Sequence, residues 1–190
     1  MRKLCVKNIV IVAPHPDDEW IGCGCWILEA LKNNIPVKVL IITRCKRTER
    51  RIKISKQLAK KYKYSIKILG ENELEINKDK LYNFLKKEIK KDDILYIPDI
   101  DSHPDHCLVS HFCSFFPNIL VQYCVYNNSK NLLIRLLHKF LKIITREVYP
   151  SFKYRGEKIF YCDYKHNEKM RNIKKFGETP RAYDWFRLVI

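Results

Sequence analysis

The sequence predicts an α/β fold with a mostly parallel sheet, formed as one domain over residues 1–190. Three observations support this prediction. A chain of 190 residues can enclose one proper core and is short for two. Short apolar runs alternate with longer amphipathic segments, which is typical of parallel α/β sheets. No internal repeat or low-complexity linker divides the chain.

The alternation begins with the first apolar run. NIVIVAP, at 8–14, is a short continuous apolar stretch ending at a proline, and it predicts a strand buried on both faces. EWIGCGCWILEALKN, at 19–33, is apolar around most of the helix circumference and predicts the first helix. PVKVLIIT, at 36–43, predicts the second strand. These segments form the first strand, helix, strand unit.

The same order then continues along the chain. TERRIKISKQLAKKYK, at 48–63, predicts a basic amphipathic helix, and SIKILG, at 65–70, predicts the third strand. KDKLYNFLKKEIKK, at 78–91, has apolar residues at helical spacing, and ILYIP, at 94–98, predicts the fourth strand. Four strands joined by three helices predict a Rossmann-like three-layer sandwich.

The rest of the chain is less regular. A short helix is expected after His106. NILVQYCVY, at 118–126, predicts a fifth strand, and the apolar and basic segment 131–147 predicts a helix. KIFYCDY, at 158–164, predicts an added strand, and HNEKMRNIKKFG, at 166–177, predicts a closing helix.

The charge balance of the chain is strongly basic. Lys and Arg number 37 against 21 Asp and Glu, which gives a net charge of +16. Such an excess is typical of proteins that bind nucleic acid or anionic membranes. Here the lysines are spread over predicted helices, whose solvated faces explain most of them. No nucleic-acid partner is expected, because no aromatic-rich nucleic-acid motif accompanies the lysines.

A cytoplasmic protein is expected from the apolar segments and the cysteines. The first apolar run is too short for a signal peptide. The longest apolar-rich stretch, at 131–149, carries several charged residues and is not typical of a membrane span. The eight cysteines lie mainly among apolar neighbours, and no Cys-x-x-Cys occurs. This pattern predicts buried free thiols rather than disulfides or a thiolate zinc site.

Two similar motifs follow the first and the fourth predicted strands. They are APHPDDE, at 13–19, and DSHPDH, at 101–106. In the common doubly wound order these two strands are neighbours, and their carboxyl ends flank the crevice in which open α/β sheets bind ligands. The polar side chains expected to converge there are His15, Asp17, Asp18, Glu19, Asp101, His103, Asp105 and His106.

This group of side chains has the composition of a metal site. Two imidazoles and a carboxylate leave coordination positions open, which suits catalytic zinc or ferrous iron. At a helix start, His15 and Asp18 can point to one place while Asp17 between them faces elsewhere. Each motif alone is also typical of a capped helix start. Their occurrence at two neighbouring strand ends favours a functional site.

The two motifs resemble those of the PIG-L family of zinc-dependent N-acetylglucosamine deacetylases, also called LmbE-like proteins. HPDDEWIGCGCWI is similar to the first family motif and PDIDSHPDHCLVS to the second. The closing KHNEKMRNIKKF and RAYDWFRLVI resemble the last helix and terminal segment of the family. The resemblance covers nearly the whole chain. It implies a hydrolase that removes N-acetyl from a GlcNAc-containing sugar or sugar conjugate, releasing acetate and a free amine.

The family pattern also implies residue roles. Zinc (Zn2+) would be bound by His15, Asp18 and His106. Ferrous iron (Fe2+) is the alternative that the donor set allows. Asp17 would be the general base. His103 would stabilise the oxyanion and protonate the leaving amine, and Asp105 would orient or tune His103.

The chain departs from the family pattern outside this set. Gly24-Cys25 stands where the family usually has Gly-Gly, and Arg44 stands where a glycine is common. On the second predicted helix, Arg50 or Arg51 could serve as the usual family arginine, whereas the usual glutamate has no match. These departures concern substrate contacts rather than the reaction.

Other functions and partners are compatible with the residues. One alternative is a basic module that binds nucleic acid or membranes and keeps the site as structure; another is a different metallohydrolase, such as a phosphoesterase. The 131–147 segment, apolar on one face and basic on the other, favours a helix that faces the core or another subunit. A lid or a peripheral membrane helix is the alternative, and membrane contact would favour a lipid-linked amino-sugar substrate over a small soluble one.

Overall fold

The computed structural model describes residues 8–44, 48–99, 103–123, 159–162, 172 and 184–189. The strands in this part of the chain are β1 (Asn8–Ala13), β2 (Val37–Thr43), β3 (Ser65–Glu71), β4 (Asp93–Pro98), β5 (Ile119–Tyr123), β6 (Ile159–Cys162) and β7 (Asp184–Val189). The helices with described bounds are α1 (Asp18–Lys32), α2 (Glu49–Tyr62), α3 (Lys78–Glu88) and α4 (Pro104–Cys113).

The described strands form one sheet in the order β3-β2-β1-β4-β5-β7-β6. The first five strands in this order run parallel to one another. The strand β7 pairs antiparallel with β5, and β6 pairs antiparallel with β7. The chain changes direction across the sheet between β1 and β4, so their carboxyl ends flank the topological switch point. The predicted α/β fold with a mostly parallel sheet is confirmed.

The central strand β1 is buried on both faces, which explains its continuous apolar run. Ile9 and Ile11 belong to a core that includes side chains of α1 and α2. Val10 and Val12 belong to a second core that includes side chains of α3 and α4. Full burial of such a side chain contributes about 1.5–3 kcal/mol. The end of β1, where the first motif begins, is therefore fixed by two packed layers.

The elements predicted over 8–98 are confirmed, with differences only at their ends. The largest difference is at α3, which was predicted to reach residue 91 and ends at Glu88. Ile89 follows with extended backbone angles, φ −91° and ψ 132°, and its side chain is buried in the second core. Helix ends are the least predictable part of an element, because the last turn lacks part of its hydrogen bonding.

The start of α4 differs from the prediction. The sequence-based expectation that this helix follows His106 was wrong, because α4 begins at Pro104. His103 caps the helix, and its Nδ1 accepts the backbone N–H of Asp105 at 3.3 Å. Proline fits the first turn of a helix, because the backbone N–H that it lacks would have no acceptor within the helix at that position. The second motif therefore forms the helix start rather than preceding it.

The remaining predictions concern the second half of the chain. The described part of the predicted strand 118–126 is β5, and the added strand predicted within 158–164 is present as β6. The strand β7 was not predicted. The helices predicted at 131–147 and 166–177 lie outside the described residues, apart from Asn172.

Two expectations from composition can be compared with the structure. Cys23, Cys25, Cys107 and Cys113 are buried thiols that are not disulfide-bonded, as predicted for them. Among the helices of the described residues, none has the length and apolar composition that a membrane span requires.

Candidate active site

The first motif lies where β1 passes into α1. The carbonyl of Pro14 accepts the backbone N–H of Thr43 at 2.9 Å and its hydroxyl at 2.8 Å. Thr43 is the last residue of β2, so these bonds join the loop after β1 to the neighbouring strand. His15, Asp17 and Asp18 follow at once and are all buried. The loop thus holds its polar side chains inside the protein.

Three side-chain atoms from the two motifs meet at one place, which we call the ligand triangle. Asp18 Oδ2 lies 3.2 Å from His15 Nδ1 and 3.2 Å from His106 Nε2. The two ring nitrogens are also 3.2 Å apart. A tetrahedral zinc ion with bonds of about 2.0–2.1 Å keeps its ligands about 3.3–3.4 Å apart. The ligand triangle therefore has the dimensions of one face of such a site.

A third histidine lies close to the ligand triangle. Ring nitrogens of His15, His103 and His106 all lie within 4.8 Å of one another. The ring centroid of His103 is 4.5 Å from that of His15 and 5.2 Å from that of His106. The set that includes Asp18 is tighter, and a carboxylate supplies the negative charge that a divalent ion favours. His103 therefore fits better beside a metal than as one of its three ligands.

The charges in the ligand triangle depend on one another. Burial opposes the charged form of His15, but hydrogen bonds with Asp105 and Asp18 outweigh it and raise its pKa to about 10. Burial also opposes the charged form of Asp18, yet contacts with His106 and His15 hold its pKa well below the usual range. Two imidazole nitrogens thus crowd one buried carboxylate oxygen. This donor set is suited to a cation, which can satisfy all three atoms at once.

Asp17 has a backbone conformation that is rare for residues with a side chain. Its φ is 133° and its ψ is −27°. Such strained conformations cost about 1–3 kcal/mol and cluster at functional sites. Asp17 is the N-cap residue of α1, yet its side chain makes no capping hydrogen bond. Its Oδ2 instead lies 2.8 Å from Arg51 Nη1 of α2.

Glu19 is fully buried and joins the first motif to α2. Its Oε2 accepts the backbone N–H of Asp17 at 2.9 Å, and its Oε1 accepts the hydroxyl of Ser55 at 2.6 Å. Burial raises the pKa of Glu19 to about 7, and these hydrogen bonds offset only part of that effect. The sequence placed Glu19 at the site but did not indicate these partners.

Asp105 reaches from the second motif to the first. Its Oδ2 lies 3.1 Å from His15 Nε2, and both of its carboxylate oxygens accept the backbone N–H of Leu74 at 3.1 Å. Burial opposes the charge of Asp105, but bonds with His15 and Leu74 outweigh it and lower its pKa. The family resemblance implies a role for Asp105 beside His103, and the structure adds this contact with His15. A carboxylate on the second nitrogen of a metal-binding histidine fixes its tautomer and orientation.

The structure places the predicted site residues together at the carboxyl ends of β1 and β4, with Asp101 outside the described residues. The three arginines considered from the sequence lie differently. Arg51 contacts Asp17, whereas Arg44 pairs with Glu49 at 2.6 Å on the exposed surface. Arg50 is exposed. Arg51 is therefore the arginine of α2 that belongs to the site.

Sequence reasoning missed two supporting residues, Ser55 and Leu74. Ser55 is on the inner face of α2, and Leu74 is in the loop between β3 and α3. Neither has a local signal, because each contacts a carboxylate more than thirty residues away. An indirect signal for Ser55 is its position four residues after Arg51, on the same face of a predicted helix.

The comparison with protein families concerns the segment from β1 to the end of α4. The family model described as PIG-L: GlcNAc-PI de-N-acetylase matches residues 10–114, more than half of the chain. The chain belongs to the PIG-L family. The matched segment contains both motifs and every atom of the ligand triangle. No curated protein sequence matches this chain.

Solved structures share the fold of this PIG-L chain at low identity. A triple mutant of a deacetylase of teicoplanin biosynthesis is similar with a TM-score of 0.65 and 11% identity, covering 96% of this chain and 98% of that one. The N,N'-diacetylchitobiose deacetylase of Pyrococcus horikoshii has a TM-score of 0.52 and 18% identity, covering 96% of this chain and 84% of that one.

A third similar structure has a different activity. It is GalB, the 4-carboxy-2-hydroxymuconate hydratase of Pseudomonas putida, with a TM-score of 0.53 and 11% identity over 96% of this chain and 95% of that one. The fold therefore does not define the reaction, and function has to be argued from the site of this PIG-L chain.

Proposed function

We propose that this PIG-L protein is a metal-dependent hydrolase that removes the N-acetyl group from a GlcNAc-containing sugar or sugar conjugate. The observation that carries the proposal is the ligand triangle, in which three buried donor atoms lie 3.2 Å apart. An acidic residue suited to act as a base, Asp17, directly precedes one of the proposed ligands. The family to which the chain belongs supports the choice of an N-acetylated amino sugar.

The proposed metal is zinc, with ferrous iron as the alternative. His15, Asp18 and His106 would hold it through the atoms of the ligand triangle. When bound, such an ion polarises an amide carbonyl and lowers the pKa of a bound water to about 7. Asp105 would keep the His15 ring in place through its second nitrogen.

Asp17 is proposed as the general base. Its carboxylate would take a proton from the water that attacks the acetyl carbon. The side chain makes no capping bond to α1, so its oxygens are not committed to the helix terminus. The Arg51 guanidinium, 2.8 Å away, balances the charge of this buried carboxylate and fixes its orientation.

His103 is proposed to act on the other side of the scissile bond. It is partly exposed at the start of α4, beside the ligand triangle. Its ring would donate a hydrogen bond to the oxygen that gains negative charge and then give a proton to the leaving nitrogen. The oxygen of water ends in acetate, the carbon–nitrogen bond breaks, and the sugar leaves as a free amine.

The test is a turnover assay on a panel of substrates. The purified protein, loaded with Zn2+ or Fe2+, is incubated with N-acetyl amino sugars and with lipid-linked and other conjugates, and primary amine and acetate are both measured. We expect equal amounts of the two products from at least one GlcNAc derivative. Phosphate esters serve as the comparison substrates. Phosphate release without deacetylation, or no turnover and no bound metal, contradicts the proposal.

The cellular setting stays a prediction from the sequence. We propose one domain over 1–190, a cytoplasmic location, and a helix at 131–147, outside the described residues, that faces the core or another subunit, with membrane contact as the alternative. Co-sedimentation with anionic vesicles tests the membrane contact. Equal binding by the full chain and by a variant lacking 131–147 contradicts it, whereas loss of binding supports a lipid-linked substrate.

A further inference from the structure

The start of α1 differs from an ordinary capped helix. In a capping box the N-cap side chain accepts a backbone N–H of the first turn, and a glutamate of that turn accepts the N–H of the N-cap residue. Here only the second half is present, because Glu19 accepts the N–H of Asp17 while the Asp17 side chain makes no capping bond. The positive φ of Asp17 accompanies this change. The helix start leaves the Asp17 carboxylate available for Arg51.

The contacts of Glu19 extend to a second helix. Its Oε2 accepts the backbone N–H of Asp17 at 2.9 Å, and its Oε1 accepts the hydroxyl of Ser55 at 2.6 Å. Glu19 and Ser55 are both fully buried, so water does not compete for these bonds. Ser55 is one helical turn after Arg51 on α2. The same face of α2 therefore contacts residue 17 twice, through Glu19 to its backbone and through Arg51 to its carboxylate.

We propose that Glu19 is a positioning residue, which bridges the Asp17 backbone to Ser55 and so holds the carboxylate of the general base in its active orientation. The inference rests on the proposed function for the role of Asp17, and on the hydrogen bonds alone for the role of Glu19. Without the bridge, residue 17 is expected to relax to an ordinary N-cap conformation, in which its side chain caps α1. The base would then be lost without loss of a metal ligand.

The test compares Glu19→Leu with Glu19→Gln. Gln can keep both bonds, because its carbonyl oxygen can accept the Asp17 N–H and its amide N–H can donate to Ser55 Oγ. Leu removes both bonds at similar volume. Three quantities are measured on the metal-loaded protein: hydrogen exchange of the residue 17 amide, metal affinity by chelator competition, and kcat and KM on the best substrate of the panel.

We expect Glu19→Leu to lose protection of the residue 17 amide and to lower kcat by about 100-fold, the scale typical of a misplaced catalytic group. Its KM and metal affinity should change little, because the ligand triangle keeps all its atoms. Glu19→Gln should recover most of the protection and of kcat. Ser55→Ala removes only the α2 side of the bridge, and it should lower protection and kcat by an intermediate amount; this variant decides the question if Glu19→Leu does not fold.

Several results would overturn the role of Glu19. The first is that the residue 17 amide stays protected from exchange in both Glu19→Leu and Ser55→Ala. The second is that this protection is lost while kcat stays unchanged. The third is that Glu19→Gln folds but is as impaired as Glu19→Leu. A parallel loss of metal affinity and kcat would also overturn it, since Glu19 would then support the whole motif. If the wild type deacetylates nothing, the proposed function fails, while amide exchange still decides whether the bridge holds residue 17.

Discussion

The two motifs that form the site are held in different ways. The second motif is an ordinary helix start: His103, with φ −89° and ψ 122°, caps α4 with its own side chain, and Pro104 occupies the first turn. The first motif is not. Asp17 occupies the N-cap position of α1 with φ 133° and does not cap the helix. One motif follows the local rules of helix formation, and the other breaks them.

This difference separates binding from chemistry. A metal ligand needs only to point at a fixed place, which regular elements provide well, and the proposed ligand His106, in the first turn of α4, is of this kind. A general base must also avoid the helix N–H groups that would otherwise bind its carboxylate. The strained conformation of Asp17, the proposed base, keeps its carboxylate off the helix terminus, and its bonds with Glu19 and Arg51 offset the cost.

The largest expected effect comes from removing His106, the proposed metal ligand of the second motif. His106→Ala deletes one corner of the ligand triangle, so metal affinity should fall by more than about 100-fold, and activity should be lost with it. Metal content after dialysis against a chelator measures this. His111→Ala, on the same helix but outside the triangle, is the matched control and should keep the metal. Equal metal content in the two variants would remove His106 from the site.

The next largest effect should separate metal binding from proton transfer, the two functions proposed for the first motif. Asp17→Asn keeps the shape of the side chain, and asparagine tolerates positive φ. It should keep the metal and lower kcat by about 10²–10⁴-fold, the usual contribution of a general base. Metal content and kcat of the same sample measure the two halves of the prediction.

A control for Asp17→Asn is needed because this substitution also breaks the ion pair with Arg51. Arg51→Gln breaks the pair and leaves the carboxylate. We expect a smaller loss of kcat from Arg51→Gln than from Asp17→Asn. If both variants lose the same amount, the pair rather than the base accounts for the loss.

Asp105 belongs to the second motif and contacts His15 of the first. Its substitution should therefore change metal affinity and kcat less than the substitutions above. Asp105→Asn weakens the bond to His15 Nε2 and should lower metal affinity by about 10–100-fold, as is typical for residues that orient a metal ligand. Chelator competition measures this change. If Asp105 acts only through His103, as the family pattern implies, kcat falls while metal affinity stays at the wild-type value.

The fold was predictable where a strand is buried on both faces. The runs at 9–13 in β1 and at 39–42 in β2 are continuous and apolar because each strand faces two cores, and such runs stand out in a sequence. The strand β7 was not predicted, because DWFRLV mixes polar and apolar residues and pairs with β5 from a distant part of the chain. Pairing between distant segments leaves no periodic signal in either of them.

The site was predictable where its residues lie close together in the sequence or follow neighbouring strands. His15 and Asp18 lie within one turn, and the position of β1 beside β4 brings His106 to them. The contacts of Glu19 with Ser55 and of Asp105 with Leu74 could not be predicted from the sequence, because they depend on how helices and loops pack. The strain at Asp17 also has no signature, since Asp is a common N-cap residue in its ordinary conformation.

The smallest expected effect tests how closely α1, which begins at the first motif, packs against the sheet. A Cβ on Gly22 of α1 would clash with Cδ2 of the Tyr123 ring and lie 2.8 Å from its Cε2. Tyr123 is fully buried, and its hydroxyl donates to the carbonyl of Val12 at 2.8 Å, so the ring has no free path away. Gly22→Ala should gain about 1 kcal/mol of helix propensity and lose about 1–3 kcal/mol to overpacking.

The packing loss should win, and thermal or denaturant unfolding of Gly22→Ala should show a net destabilisation of up to about 2 kcal/mol. The control is the double variant with Tyr123→Leu. Once the ring is gone, the added methyl has space and the helix propensity gain remains, so Gly22→Ala should become neutral or stabilising in that background. An equal loss of stability in both backgrounds would mean that the Tyr123 ring does not determine how closely α1 packs against the sheet. The first motif would then depend on its contacts with α2 rather than on close packing of α1 against the sheet.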